Sequence, residues 1–312
     1  QNVRQSGQNK KINYMKNLKL LLVSLAILFS HNLTMGQGPK DGKNEKNPVK
    51  SALNAFKFRS IGPAFMSGRI ADIAIDPKNE NVWYVAVGSG GVWKTENSGT
   101  TWTPLADNMP FYSTGCITID PHNNASIWLG TGENVGGRHV GIGHGVYHSK
   151  DGGKSWKDMG LKKSEHISKI IVHPDDPNTV WVASQGPLWS SGGERGLFKT
   201  TDGGKTWKNT LDINEWTGVT DLVIDPNNPN TLYAASWQKH RNVAALIGGG
   251  PGTSLYKSVD GGDNWSKIDK GLPKSNKGKI GLAISPMQPN VLYAAVELDK
   301  RAGAVYRSDN SG

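Results

Sequence analysis

The chain has 312 residues, of which 36% are hydrophobic and 20% charged, with 39 glycines, 16 prolines and 11 tryptophans. This composition excludes collagen and simple disorder, and it disfavours a helical bundle, because helices need long stretches without Gly and Pro. The net charge of +10 lies mostly before residue 59, where ten Lys/Arg face only Asp41 and Glu45. Since nucleic-acid binding needs a basic surface on the folded part, we expect no nucleic-acid partner.

The first 55 residues have the pattern of a targeting segment followed by a linker. Residues 1–14 precede Met15, and we interpret them as upstream read-through with no structural role. Residues 15–36 combine a basic start, a run of ten apolar residues and a small-residue exit, which is typical of a secretory signal peptide. The apolar run is too short for a transmembrane anchor. Residues 37–55 are a polar linker, and a secreted, periplasmic or cell-envelope protein is predicted.

A short motif recurs along the rest of the chain. Its pattern is Ser/Thr-x-Asp/Asn-x-Gly-x-Thr/Ser/Asn-Trp, with four complete copies and a fifth that stops at Gly312. The Ser or Thr that opens each copy is Thr95, Ser149, Thr200, Ser258 or Ser308. The repeat is therefore about 50 residues long, a length typical of a repeat architecture.

Each copy of the motif follows two apolar segments that predict strands. The first segment ends in Asp-Pro or a similar pair, and the second carries an aromatic residue, as in Ile117-Thr-Ile-Asp-Pro121 and Ile127-Trp-Leu129. Four short strands per repeat indicate a propeller blade, which must stack on its neighbours to bury both faces. The sequence thus predicts an all-β partial β-propeller over 56–312, with about five four-stranded blades. Their expected ranges are 69–105, 115–159, 168–211, 219–268 and 279–312, the last one truncated.

The motif itself favours a structural role. A carboxylate at the start of a Gly-Gly turn can cap backbone N–H groups, and the tryptophan can cover the hairpin. The residues assigned to this role are Asn97, Trp102, Asp151, Trp156, Asp202, Trp207, Asp260 and Trp265. Calcium or ligand binding at the carboxylates is the alternative, which the amides of Asn97 and Asn310 weaken. We expect no metal and no cofactor, since His139, His144 and His148 lack a recognised zinc spacing.

The repeated motif matches the Asp-box, or BNR repeat. Over 56–312 the chain resembles large secreted bacterial proteins with a sortilin-type N-terminal propeller, described as glycosyl-hydrolase-like, with xyloglucanases and sialidases as more distant relatives. The resemblance implies a propeller but does not carry over a catalytic set. The xyloglucanase catalytic Asp, just before a Gly-Gly, falls at Gly88, and the sialidase Arg-Ile-Pro is not matched by Arg59-Ser-Ile-Gly-Pro63.

The long loops between second and third strands are the expected place for a site. Antiparallel connectivity puts all of them at one end of the sheets, here called the loop face, and the Asp-boxes at the other end, the box face. The four loops are 130–145, 184–196, 236–254 and 297–303. Glu133 and Glu194 are the only carboxylates in the first three loops, so they are the predicted acid/base pair. A salt-bridged or solvated role is their alternative.

The same face carries a set of predicted ligand-binding residues. They are Arg69, Arg138, His139, His144, Trp189, Arg195, Trp216, Trp237, His240 and Arg241. Aromatic groups there can stack on sugar rings or grip a peptide side chain, while the alternative is that they pack the loops. For Arg69 the alternative is an ion pair with Asp72.

Two functions follow from these patterns. The first is an exported binding module that captures a peptide or glycan through the loop face. The second is a glycoside hydrolase that uses carboxylates of the same face. The missing xyloglucanase Asp at position 88 favours binding. The sequence gives no oligomeric state.

Overall fold

The computed structural model describes residues 68–137, 140–298 and 302–312, which lie in one compact unit, Phe65–Gly312. The predicted signal peptide and linker lie outside the described residues. Regular structure in the described part is β-strand, with one short 3-10 turn at Lys162–Ser164. No described helix is long and apolar enough to cross a membrane.

The strands form five main antiparallel sheets. The first sheet contains β1 (Ile70–Ile75), β2 (Trp83–Val87), β3 (Gly91–Thr95) and β4 (Thr103–Pro104). The second contains β5 (Thr114–Asp120), β6 (Asn123–Thr131), β7 (Val146–Ser149) and β8 (Lys157–Asp158). The third contains β9 (Ile167–Val172), β10 (Val180–Ser184), β11 (Gly196–Thr200) and β12 (Lys208–Leu211).

The remaining strands belong to two further sheets and one small hairpin. The fourth sheet contains β13 (Thr217–Asp225), β14 (Asn228–Gln238), β17 (Leu255–Ser258) and β18 (Ser266–Ile268). A hairpin inserted in its long loop pairs β15 (His240–Arg241) with β16 (Leu246–Ile247). The fifth sheet contains β19 (Lys277–Ile284), β20 (Leu292–Leu298) and β21 (Ala304–Ser308). The predicted propeller of about five blades, the last incomplete, is confirmed.

The blades stack through their first strands, which contact one another in series from β1 through β5, β9 and β13 to β19. Half-buried carboxylates help to join neighbouring first strands. Asp72 Oδ2 accepts a hydrogen bond from the Ile117 N–H at 3.1 Å, and Asp221 Oδ2 accepts one from the Leu282 N–H at 2.7 Å. The predicted alternative of an Arg69–Asp72 ion pair is therefore wrong, because Asp72 bonds to the next blade.

The apolar core lies between the blades. One cluster of buried side chains combines Cys116, Trp128 and Val146 of the second sheet with Ile170 and Val182 of the third. Comparable clusters are shared by the first and second sheets and by the third and fourth. The middle sheets thus bury both faces against their neighbours, as stacked repeats require, whereas the first and fifth leave apolar side chains such as Ile73 and Val305 exposed.

The Asp-box hairpins show a repeated set of local hydrogen bonds. In the second blade the Ser149 hydroxyl donates to Asp151 Oδ1 at 2.8 Å and accepts from the Gly153 N–H at 2.8 Å. Asp151 also accepts from the N–H and the hydroxyl of Ser155 at 2.8 and 2.6 Å. These bonds, led by that of the Ser155 hydroxyl, lower the pKa of Asp151 to about 2. Gly152 and Gly153 have φ of 72° and 89°, which favours glycine in this turn.

Candidate functional site

The side chain of Glu133 lies buried on the loop face, where β6 ends and its long loop begins. It is only 2% exposed and is held by three groups from other segments. Arg69 forms an ion pair with its carboxylate, with Nε at 2.9 Å from Oε1. The Ser89 hydroxyl approaches the same oxygen at 3.3 Å, and the Gly141 N–H donates to Oε2 at 2.8 Å. The pair leaves the Arg69 side chain 54% exposed at the surface.

Glu133 also fills the space next to Gly88. A Cβ atom on residue 88 would lie 2.5 Å from Glu133 Oε1, closer than real Cβ contacts come. A side chain at position 88 and the present position of Glu133 therefore exclude each other. The carboxylate at this point of the loop face comes from the second blade and not from residue 88 of the first.

Glu194 lies on the third blade with partners of its own. Its Oε2 accepts a hydrogen bond from the Lys163 N–H at 2.7 Å, and its own N–H donates to the Lys163 carbonyl at 3.1 Å. Glu133 and Glu194 share no hydrogen-bond partner among the described residues. Each carboxylate holds its own loop through these bonds, and their role as an acid/base pair stays a prediction.

Arg195 stabilises its own loop through hydrogen bonds to the main chain. It is buried, and its guanidinium donates to the carbonyls of Gly192 and Gln185 at 2.8 Å each, to Ser190 at 2.6 Å, and to Pro187. Burial lowers the pKa of Arg195 to about 10. Backbone oxygens of the loop take four of its five N–H donors, which favours a role in holding the loop, and ligand binding by Arg195 stays a prediction.

Four predicted ligand-binding residues meet around β15. Trp189 is 46% exposed, and Arg241 Cζ lies 5.9 Å from the centroid of its ring. Trp216 contacts His240 edge-on, with ring centroids 4.2 Å apart. His240 Nδ1 and Arg241 Nε are buried without a hydrogen-bond partner in the described part of the chain. These four residues are called the aromatic patch below.

Trp237 is not part of this exposed surface. It is 3% exposed, and its Nε1 donates to the Gly248 carbonyl at 3.0 Å. The side-chain nitrogens of Lys239 and Lys279 lie 5.2 and 5.4 Å from the centroid of the ring. The loop that follows β14 folds over Trp237, which favours the alternative of loop packing; ligand stacking by Trp237 stays a prediction.

Lys239 is a functional candidate that the sequence did not reveal. It is fully buried, and its Nζ donates to Gln185 Oε1 at 2.8 Å. Burial, reinforced by the charges of Arg195 and Lys279, holds the pKa of Lys239 well below its usual range. A lysine in a polar loop gives no sequence signal of this burial, since lysines are mostly exposed.

A polar cavity of about 420 Å³ opens beside the first strands of the blades. Its lining includes Asp72, Asn134, Lys169, Asp221 and Lys279. The main-chain oxygen of Asn134 accepts hydrogen bonds from the Lys279 amine and from Gln185 Nε2, the latter at 3.2 Å. The second-blade loop is thereby tied to the fifth and third blades.

The other predicted site residues add little to these groups. His144 is exposed, and its N–H donates to Thr131 Oγ1 at 2.7 Å. Arg138 and His139 lie outside the described residues. No group of three or more His, Cys, Asp or Glu in the described ranges could hold a metal ion.

Comparison with known proteins agrees with this architecture. A family model for Sortilin-Vps10 ("Sortilin, neurotensin receptor 3") matches residues 144–279. A probable oligoxyloglucan-reducing end-specific xyloglucanase of Neosartorya fischeri is 24% identical over 70% of this chain and 26% of its own length. A xyloglucanase of Hypocrea jecorina is 22% identical over 85% of the chain and 34% of its own length.

Solved structures show the same fold. An ancestral GH74 enzyme superposes with a TM-score of 0.59 at 25% identity, over 77% of this chain and 30% of that protein. The GH74 enzyme of Niastella koreensis gives a TM-score of 0.58 at 20% identity, over 78% of this chain and 37% of that protein. This chain therefore spans about a third or less of the length of these relatives.

The sheets and their hairpins define an Asp-box β-propeller. The sortilin match, over less than half of the chain, and the distant xyloglucanase relatives support a glycosyl-hydrolase-like β-propeller with a sortilin-type domain.

Proposed function

We propose that the loop face binds a polysaccharide and that the aromatic patch is its main contact surface. The observation that carries this proposal is the exposed Trp189 ring next to Arg241, with two buried nitrogens that have no partner among the described residues, Arg241 Nε and His240 Nδ1. Indole rings stack on the apolar face of sugars, and buried donors gain free energy when a ligand oxygen satisfies them. The similarity to xyloglucanases supports a glycan over the peptide alternative.

Binding to xyloglucan oligosaccharides, measured by calorimetry, tests this proposal. Trp189→Ala should weaken binding about tenfold, or about 1.4 kcal/mol, because the stacking surface is lost. Trp102→Ala is a matched control, since Trp102 is 40% exposed but lies on the box face. Equal effects of the two substitutions would contradict the proposal. Binding of peptides and of no glycan would favour the peptide alternative.

Glycoside hydrolysis on the same face is the second candidate. It is favoured by the xyloglucanase relatives and by the Glu133 carboxylate, which lies where a side chain of residue 88 would otherwise be. Against it, Glu133 is buried and neutralised by Arg69, and Glu194 has separate partners. We therefore expect this chain to bind xyloglucan without releasing reducing ends.

An assay of reducing ends with Glu133→Gln and Glu194→Gln decides between the candidates. Release by the unsubstituted chain that is lost in Glu133→Gln and kept in Glu194→Gln would establish hydrolysis with Glu133 at its centre. Loss in both variants would restore the acid/base pair predicted from the sequence. Export through the signal peptide at 15–36 is part of the same proposal, since a polysaccharide ligand lies outside the cell.

A further inference from the structure

A second cavity lies on the box face, between the second and third blades. Its volume is about 700 Å³, within the range of roughly 300 to 1,000 Å³ that small-molecule sites occupy. Its lining combines the turn after β5, the two Asp-boxes and part of the turn between β9 and β10. None of its residues belongs to the loop-face site described above.

This junction between blades lacks a hydrogen bond that the next two junctions have. Trp181 of the third blade donates from Nε1 to the Gly261 carbonyl in the following Asp-box at 3.0 Å. Tyr233 of the fourth blade likewise donates from its hydroxyl to the Ser311 carbonyl at 2.9 Å. Trp128 is the corresponding residue of the second blade, and its Nε1 is buried with no partner among the described residues. The junction is therefore less closed than its neighbours.

The His148 ring lies against Trp128 at this junction. It stacks on Trp128 with ring centroids 4.1 Å apart and an angle of 10° between the planes. The Ser126 hydroxyl lies 2.8 Å from His148 Nε2 and 3.1 Å from Asp120 Oδ2. Since an ionised carboxylate only accepts, Ser126 donates to Asp120 and accepts from the N–H of His148. His122 Nδ1 satisfies the other oxygen of Asp120 at 2.8 Å.

The charges around the cavity are unbalanced. Its two carboxylates are already satisfied: Asp120 by the groups above, and Asp202 by the hydroxyls and N–H groups of its own Asp-box. Lys150, Lys157 and Lys205 line the cavity and form no ion pair with any described residue. The cavity lining thus combines three lysines that form no ion pair with a described residue and two carboxylates that are already hydrogen-bonded.

His148, which lines the cavity, is affected by the charges of these lysines. Burial lowers the pKa of His148 to about 4, and the charges of Lys150 and Lys157 act in the same direction, opposed by Asp120. The ring is neutral near pH 7. An anion placed among the lysines would oppose their effect and raise this pKa, so His148 is a built-in reporter of occupancy.

We propose that this cavity binds a saccharide that carries a carboxylate, such as a uronate residue. The carboxylate would lie among Lys150, Lys157 and Lys205, where ammonium groups lack partners. The half-buried indole of Trp156 in the same lining offers a surface for a sugar ring, and Asn178 supplies an amide for its hydroxyls. The site is independent of the loop face and of the polysaccharide proposed there.

NMR titration of the His148 ring in the whole chain tests this proposal. Trigalacturonate should bind and raise the His148 pKa, whereas a neutral trisaccharide such as cellotriose should leave it unchanged. Lys150→Ala and Lys205→Ala should each weaken binding about twofold to fivefold, as expected for exposed ion pairs. Lys154→Ala is the matched control, because Lys154 lies in the same Asp-box but outside the cavity lining, and it should change nothing.

Three results would overturn the proposal. The first is an unchanged His148 pKa at high trigalacturonate concentration. The second is a loss of affinity in Lys154→Ala as large as that in Lys150→Ala. The third is binding of inorganic phosphate or of an acidic peptide as tight as that of trigalacturonate, which would show an anion site without saccharide specificity. Tighter binding of trigalacturonate than of these probes, with the expected lysine effects, supports it.

Discussion

The loop face and the box face use the same kinds of polar side chain in opposite ways. On the loop face, Glu133 and Lys239 are buried, and their side-chain partners lie 64 and 54 residues away in sequence. On the box face, Asp151 is exposed and Asp202 is half-buried, and their bonds stay within four residues. The carboxylates of the box turns therefore depend on local sequence, whereas the loop-face groups are positioned only when the blades have stacked.

The largest expected effect of this difference concerns Arg195. Arg195→Met should lower the free energy of unfolding by about 3 kcal/mol, because several buried carbonyls lose a charged donor at once. Arg307→Met is the control, since Arg307 is more than half exposed and pairs with Asp309 at the surface; it should cost less than about 1 kcal/mol. Urea unfolding measures both. Similar costs for the two variants would contradict the contrast between buried and exposed charges.

Lys239 should make stability depend on alkaline pH. Because its folded-state pKa is lowered, the unfolded chain binds one proton more than the folded chain between that pKa and the ordinary lysine value near 10.4. Stability should therefore rise with pH in this window, by up to about 1.4 kcal/mol per pH unit. Lys239→Met should remove this slope. Urea unfolding between pH 7 and 10 measures it, and parallel curves for the two proteins would contradict the prediction.

A second substitution at the same position separates charge from packing. Lys239→Arg keeps its proton throughout this pH range, so the folded state has to bury a cation. We expect this variant to be less stable than Lys239→Met at every pH tested. The opposite order would show that the site is open to water and that the lysine is not neutralised by burial.

The fold could be predicted because its signals are local. The Ser/Thr, Asp/Asn, Gly and Trp of each Asp-box lie within eight residues, and they fix one hairpin whatever the rest of the chain does. Repetition of this hairpin with two further strands was sufficient for the propeller. The same reasoning places the long loops on one face, where Trp189, Trp216, His240 and Arg241 do meet.

The details of the site could not be predicted because they depend on how separate blades face each other. The ion pair of Arg69 with Glu133 joins residues from two blades. The sequence around either residue does not indicate which residue is its partner. Trp237 and Trp189 are both predicted to lie in long loops, yet Trp237 lies in β14 and is covered by the Gly248 segment, whereas Trp189 is exposed. Whether such a tryptophan is covered or exposed depends on the path of the neighbouring loop, and composition does not predict that path.

The smallest expected effect lies on the box face, where an exchange of Asp and Asn between two boxes tests how local the turns are. Asp151 accepts a hydrogen bond from the Ser155 hydroxyl, whereas the Asn97 amide donates to the Thr101 hydroxyl at 2.9 Å, so each box keeps its turn with the bond reversed.

The lowered pKa of Asp151 contributes stability above about pH 4 that is lost as the pH falls towards 2. The stability difference between the unsubstituted chain and Asp151→Asn should shrink over this interval. Asn97→Asp should gain the same acid dependence in the first blade, because the local groups are equivalent. Thermal unfolding between pH 2 and 6 measures both changes, and an Asn97→Asp curve parallel to that of the unsubstituted chain would show that the turns depend on their blades after all.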